Sequence, residues 1–215
     1  MIRLILFDYD GVIVDSFPTV YAVYRIICNK IGVKCPETFE EFRKTYGYSY
    51  KELHRNVGIR PEDEAKVERI FKEEIIKQKP PIFQGIKEVI KELSKNYILV
   101  VISSTYASEV IAKLKGFGIY GCFKTVFAKE NEYPEPFKKT VAIPLAMDEF
   151  KAKPEETIFV GDRNVDYDQA TKAGLKNIIL AEYGWGYDPA KIPWQNKELK
   201  VKKPEDILIA VKSFN

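Results

Sequence analysis

The sequence reads as an α/β protein, a doubly wound parallel sheet with a small helical domain inserted near the N-terminus. Three features point there. Short apolar runs end abruptly on a polar residue, as buried parallel strands do. Helical patterns alternate with those runs from about residue 86 onward. Between them and the first run, the stretch from about Ser16 to Pro80 holds no clear strand.

Arg3 to Phe7 is the first apolar run, and it stops at Asp8. Ser16 offers an N-cap and Pro18 a first-turn residue for a helix ending at Ile31. The insert then predicts helices over Thr38–Thr45, Ser49–Val57 and Glu62–Lys79, closed by Pro80-Pro81 and Gly85. Ile86–Asn96 is helical, Tyr97–Ile102 (YILVVI) is a buried strand, and Ser103 stands at its end. Ser108–Phe117 is helical, Thr125–Ala128 a short strand, and Phe137–Phe150 a helix bent by Pro144. Thr157–Val160 is a strand followed by Gly161-Asp162. Tyr167–Ala173 is a helix with Gly174 at C′, and Asn177–Leu180 is the last clear strand. Glu205–Lys212 ends the chain as a helix. The expected division is a core of residues 1–15 and 81–215 and an insert of 16–80.

The 215 residues are 46% hydrophobic and 30% charged, the composition of a globular protein with a sizeable core. Net charge is +3 with no long basic run, which argues against a nucleic-acid partner. No apolar run approaches the roughly 20 residues of a membrane span, and MIRLILFDYD turns acidic too soon for a signal peptide. A cytoplasmic protein is expected, with Cys28, Cys35 and Cys122 as ordinary reduced thiols. Nothing specifies an oligomeric state.

In doubly wound sheets, ligands bind beyond the carboxyl ends of the strands. Asp8 and Asp10, Ser103, and Asp162 with Asp166 all fall at that edge, and the pair Lys138-Lys139 opens the helix before TIFVGD. These groups suit phosphoryl transfer. A carboxylate such as Asp8 can attack phosphorus, and a second acid, Asp10, can protonate the leaving oxygen and then deprotonate water. Asp162 and Asp166 can hold Mg²⁺, which prefers octahedral oxygen ligands. Ser103 can hydrogen-bond a phosphoryl oxygen, and a lysine can neutralise the phosphate and the nucleophile together. Ser104 is a candidate for the same phosphoryl site, although with Thr105 it also reads as the start of the next helix.

FDYDGVIVDS resembles the first motif (D-x-D-G) of the haloacid dehalogenase superfamily; VVIS at Val100–Ser103 resembles its second and VGDRNVD at Val160–Asp166 its fourth. The resemblance covers nearly the whole chain and is similar to phosphoglycolate phosphatases and β-phosphoglucomutases. It implies a Rossmann-like core, a C1-type cap over 16–80, and a phospho-aspartate on Asp8. It also implies Mg²⁺ held by Asp8, the main-chain carbonyl of Asp10 and Asp162, with Asp166 direct or through water, and a small phosphorylated metabolite as substrate. Relatives often carry G-K-P as the third motif, whereas this chain has P-F-K-K-T; Lys138 is favoured there and Lys139 is the alternative. Val12 stands where a threonine is common.

Other readings remain beside this one. A phosphomutase would share the Asp8 chemistry, and a non-enzymatic module would leave clustered carboxylates unused. A dehalogenase would not need Asp10. His54, the only histidine, reads as a surface helix residue, and Tyr183, Trp185 and Tyr187 as an aromatic loop against the core. Gly47, between Tyr46 and Tyr48, marks a candidate cap loop facing the site, and Asp15 and Ser16 are candidates to face the substrate.

Overall fold

The structure is a computed structural model and describes residues 1–47, 49–129, 137–186 and 197–214. It divides into two compact units, residues 1–15 with 82 onward, and Ser16–Pro81.

The larger unit is built on six strands: β1 (Leu4–Phe7), β2 (Ile98–Tyr106), β3 (Thr125–Lys129), β4 (Thr157–Gly161), β5 (Asn177–Ala181) and β6 (Lys197–Val201). Their order is β3-β2-β1-β4-β5-β6, and every pairing is parallel. The side-chain period of two sends neighbouring residues to opposite faces. Ile5, Phe7, Leu99, Val101, Ile158 and Val160 enter one core cluster, while Leu4, Leu6, Val100, Ile102 and Phe159 enter the other. The helices of the smaller unit come first in chain order, as α1 (Phe17–Ile31), α2 (Phe39–Thr45), α3 (Tyr50–Val57) and α4 (Glu64–Ile75). Of the core helices, α5 (Ile86–Leu93), α6 (Ala107–Gly116) and α9 (Asp206–Ser213) contribute to the first cluster. Helices α7 (Lys139–Glu149) and α8 (Asn164–Lys172) contribute to the second. The sheet is therefore covered on both sides, as expected of a doubly wound fold.

Several elements differ from expectation. β6 (KELKV) is an additional strand that lacks an apolar run; edge strands carry charge because one side of their backbone is unpaired. β2 continues past Ser103 to Tyr106, with a shift in its register against β3 between those residues. α8 begins at Asn164, three residues earlier than its apolar pattern suggests. Gly174 follows it with φ +90°, the left-handed geometry that favours glycine.

The smaller unit contains α1 (Phe17–Ile31), α2 (Phe39–Thr45), α3 (Tyr50–Val57) and α4 (Glu64–Ile75). Ser16 precedes α1 without a side-chain cap bond, contrary to expectation. Thr38 forms a reciprocal capping box with Glu41, and Ser49 accepts from the Glu52 amide. α4 stops at Ile75 rather than Lys79: turns follow it, and a residue before proline is driven out of the helical region. The unit's interior is aromatic, with Phe17 stacked on Phe42 at 5.5 Å and Tyr24 tilted against Phe42 at 5.3 Å. His54 is half-buried there, its Nε2 2.9 Å from the Tyr24 hydroxyl, so it is not an open surface residue. Tyr46 packs edge-on against Phe17; Tyr48 and Tyr187 lie outside the described residues. Cys28, Cys35 and Cys122 are free thiols. Among the described residues no helix is long and apolar enough to cross a membrane.

Candidate active site

β1 sits at the switch point of the sheet, with β2 on one side and β4 on the other. Phe7 pairs with Val101 and Val160, so Asp8, Ser103 and Asp162 follow at the same carboxyl edge. The Asp8 amide donates to the Val160 carbonyl (2.9 Å), which ties the start of the loop to the neighbouring strand. Tyr9–Val14 then forms a tight turn, with the Ile13 and Val14 amides both donating to the Tyr9 carbonyl. Gly11 takes φ +79° in that turn, and a Cβ on it would lie 2.1 Å from Asp162 Oδ2. Glycine is required there on both counts.

Asp8, Asp162 and Asp166 are each buried, and one oxygen from each lies within 4.8 Å of the others. Lys139 Nζ reaches Asp8 Oδ2 (2.5 Å) and Asp166 Oδ1 (2.6 Å). The second Asp166 oxygen accepts from the Arg163 amide (3.0 Å), reaching back from the third position of α8 to its N-cap. Asp162 Oδ2 accepts from the Trp185 amide (3.0 Å) in the loop after β5, whereas its buried Oδ1 has no hydrogen-bond partner among the described residues. Gly184 permits that approach: a Cβ on it would lie 2.4 Å from Asp162 Cβ.

Burial dominates the electrostatics. It pushes the Asp8 carboxyl well above the ordinary range, with Lys139 pulling it down and Asp166 and Asp162 pushing it further up. Burial, with the Asp166 charge, lifts Asp162 to about 7. Burial opposes ionisation of Asp166 too, but Lys139 and Arg163 outweigh it and hold its carboxyl below the usual value. Lys139 is raised, because Asp166 and Asp8 outweigh the burial that would lower it. Ionising all three carboxyls would leave the Lys139 ammonium outnumbered, which is why Asp8 and Asp162 are pushed up in the absence of further positive charge.

The structure separates the two candidate lysines. Lys139 is buried at the start of α7, on the helical face that also carries buried Ala142, Ile143 and Ala146. Lys138 is exposed and extended at the N-cap, in phase with the partly exposed Val141 and Leu145. Lys139, and not the favoured Lys138, meets the acids. Asp10 is half-buried, and its Oδ2 accepts from the Thr105 hydroxyl (2.6 Å). Ser103 is buried with its Oγ accepting from the Thr105 amide (3.0 Å), while Ser104 is exposed.

A model of the family described as "Haloacid dehalogenase-like hydrolase" matches residues 5–180. The chain belongs to this family. It is 25% identical over 213 residues to a phosphoglycolate phosphatase of Synechococcus elongatus, covering 97% of each chain. To the pyrophosphatase PpaX of Oceanobacillus iheyensis it is 25% identical, covering 84% of each. Among solved structures, a haloacid dehalogenase-like family hydrolase from Streptococcus pneumoniae superposes with a TM-score of 0.85 at 21% identity, covering 98% of each chain, which shows the shared fold.

In this haloacid dehalogenase-like hydrolase, the acids fit a divalent cation. The donor set is all oxygen, a cation would offset the charge of the three acids as they ionise, and the orphaned Asp162 Oδ1 needs a partner. Sequence reasoning missed Thr105, the Trp185 amide, and Gln169, whose Oε1 accepts from the Lys139 amide at 3.1 Å. It also missed Glu109 in the first turn of α6, whose carboxyl is raised by burial and by Asp10. Gly184-Trp185 was visible only as an aromatic loop; a backbone amide leaves no trace in residue type.

Proposed function

We propose that this phosphatase of the haloacid dehalogenase-like family removes phosphate from a small phosphorylated metabolite through a phospho-aspartate on Asp8. The observation that carries the reading is the buried Asp8–Asp162–Asp166 cluster bridged by Lys139. In it, an Asp8 oxygen attacks phosphorus and the bond to the leaving oxygen breaks, while Asp10 gives that oxygen a proton. Asp10 then takes a proton from water as it attacks the acyl phosphate, and the Asp8 carboxylate is restored. Lys139 stays charged throughout and offsets negative charge on Asp8 and the phosphoryl group. Ser103, whose Oγ already accepts from the Thr105 amide, retains its O–H to donate to a phosphoryl oxygen. Mg²⁺, held by Asp8, Asp162, the Asp10 main-chain carbonyl and Asp166 directly or through water, would supply the charge that lets an anionic carboxylate approach an anionic phosphate.

The Ser16–Pro81 unit is read as a cap that chooses the substrate, swinging on segments near Val14–Ser16 and Pro80–Gln84. Phosphoglycolate is the first substrate to try, given the Synechococcus elongatus relative. A panel of phosphate esters assayed for phosphate release tests the reading. Release with Mg²⁺, its loss in EDTA, and inhibition by Ca²⁺ are expected. Full activity in chelator refutes the metal role, and isomerisation of a sugar phosphate without release makes the protein a mutase.

A further inference from the structure

The Thr105 side chain has no part in the chemistry described so far, and the residue sits where two of the participants meet. Along β2, Ser103 pairs with Ala128 and Tyr106 with Lys129, so two extra residues, Ser104 and Thr105, are accommodated on the β2 side. Such bulges gather beside active sites because they re-aim side chains. Here the irregularity leaves Ser104 exposed and carries Thr105 back toward the loop after β1. Its hydroxyl donates to Asp10 Oδ2 at 2.6 Å, across 95 residues of sequence. Its amide donates to Ser103 Oγ at 3.0 Å. One residue thus holds the acid/base on one side and the phosphoryl-binding hydroxyl on the other.

We propose that Thr105 is a positioning residue: it fixes the Asp10 carboxylate through Oδ2 and leaves Oδ1 to exchange the proton with the leaving group and then with water. The inference rests on the phospho-aspartate reading above and deepens it. A hydrogen bond from a hydroxyl to a carboxylate is short and strong, and 2.6 Å is in that range. Asp10 has torsional freedom and lies in a turn rather than in a strand, so without this bond its carboxylate samples several rotamers. Proton transfer tolerates little of that displacement. The Thr105 methyl group supplies none of this, so the function belongs to the hydroxyl and serine should preserve it.

The experiment compares Thr105→Val, which keeps the shape and removes the hydroxyl, with Thr105→Ser. Rapid-quench measurement of phospho-enzyme formation is made on two esters. One is p-nitrophenyl phosphate, whose leaving group departs without a proton. The other is the alkyl phosphate that the wild type turns over fastest among phosphoglycolate, glycerol phosphate and hexose phosphates. Thr105→Val should slow phosphorylation by the alkyl ester roughly tenfold or more, with much less effect on the aryl ester. Its KM should stay within about twofold of wild type, because substrate binding is not the interaction removed. Thr105→Ser should stay near wild type on both esters. An unchanged rate for Thr105→Val on the alkyl ester, or equal losses on both esters, overturns the assignment. If Thr105→Val does not fold, Thr105→Ala set against Thr105→Ser makes the same comparison. A wild type that releases phosphate from no ester sinks the phosphatase reading and the Thr105 role with it. An active wild type with an unaffected Thr105→Val sinks only the latter.

Discussion

Removing the Lys139 ammonium would leave Asp8 and Asp166 buried without the charge that bridges them. Breaking a buried pair in this way costs about 3–5 kcal/mol. Lys139→Ala should therefore lower the urea midpoint markedly at pH 7 and abolish turnover. Lys138→Ala, at an exposed neighbour, should change stability by about 0.5 kcal/mol or less and leave kcat near wild type. Denaturation and steady-state rates on both proteins check this, and equal effects would contradict it. The sequence contained the phase that separates the two lysines, since Lys139, Ala142, Ile143 and Ala146 share a face. What hid it was the exposed apolar pair Val141 and Leu145, which blurs the pattern. Asp8 and Asp162 were legible because each follows an apolar strand, and Asp166 because of its spacing from Asp162. Thr105 was not, because a bulge that re-aims a side chain leaves no periodicity to find.

Among the elements, the loops after β1 and β5 close on Asp162 through glycines. A Cβ at Gly184 would meet Asp162 Cβ at 2.4 Å and the Gly11 carbonyl oxygen at 2.5 Å. Gly184→Ala should destabilise the protein by about 1–3 kcal/mol, the usual range for overpacking, and weaken Mg²⁺ binding by shifting Asp162. Gly116, at the end of α6, has nothing within 4 Å of an added Cβ. Gly116→Ala should be stabilising by about 0.4–1 kcal/mol through the unfolded chain. Melting temperatures and Mg²⁺ titrations distinguish the two, and a neutral Gly184→Ala would show that the two loops yield. The strands flanking the site were readable as apolar runs, and β6 was not, because the sequence KELKV holds no apolar run. The start of α8 was misplaced because its first turn carries the buried polar groups Asn164 and Asp166 and not an apolar stripe.

For the molecule as a whole, the acid cluster ties stability to pH. Asp162 sits at about 7 in the fold against about 3.9 unfolded. A carboxyl raised by folding contributes stability that is complete below pH about 4 and lost as pH rises through 7. Asp8 shifts in the same sense. Asp166, held low, acts oppositely, but its window lies below its unfolded value. His54, lowered chiefly by burial, also opposes the trend near its own range. Comparison with Asp162→Asn isolates the effect: in metal-free protein, the advantage of the variant over wild type should grow between pH 4 and 7. Mg²⁺ should raise the wild-type melting temperature more at pH 8 than at pH 5, where protons compete for the same oxygens. A pH-independent gap between the two proteins would contradict the burial argument.

The central claim is that Asp8 carries the phosphoryl group during turnover, and the most direct measurement is acid quench within the first turnover followed by mass spectrometry of the peptide spanning Arg3–Asp10. Wild type with Mg²⁺ and its best substrate should show one phosphoryl group on Asp8, and Asp8→Asn, folded to the same melting temperature or above, should show none and release no phosphate. A phosphoryl group on another residue, or near-normal phosphate release by Asp8→Asn, would contradict the account.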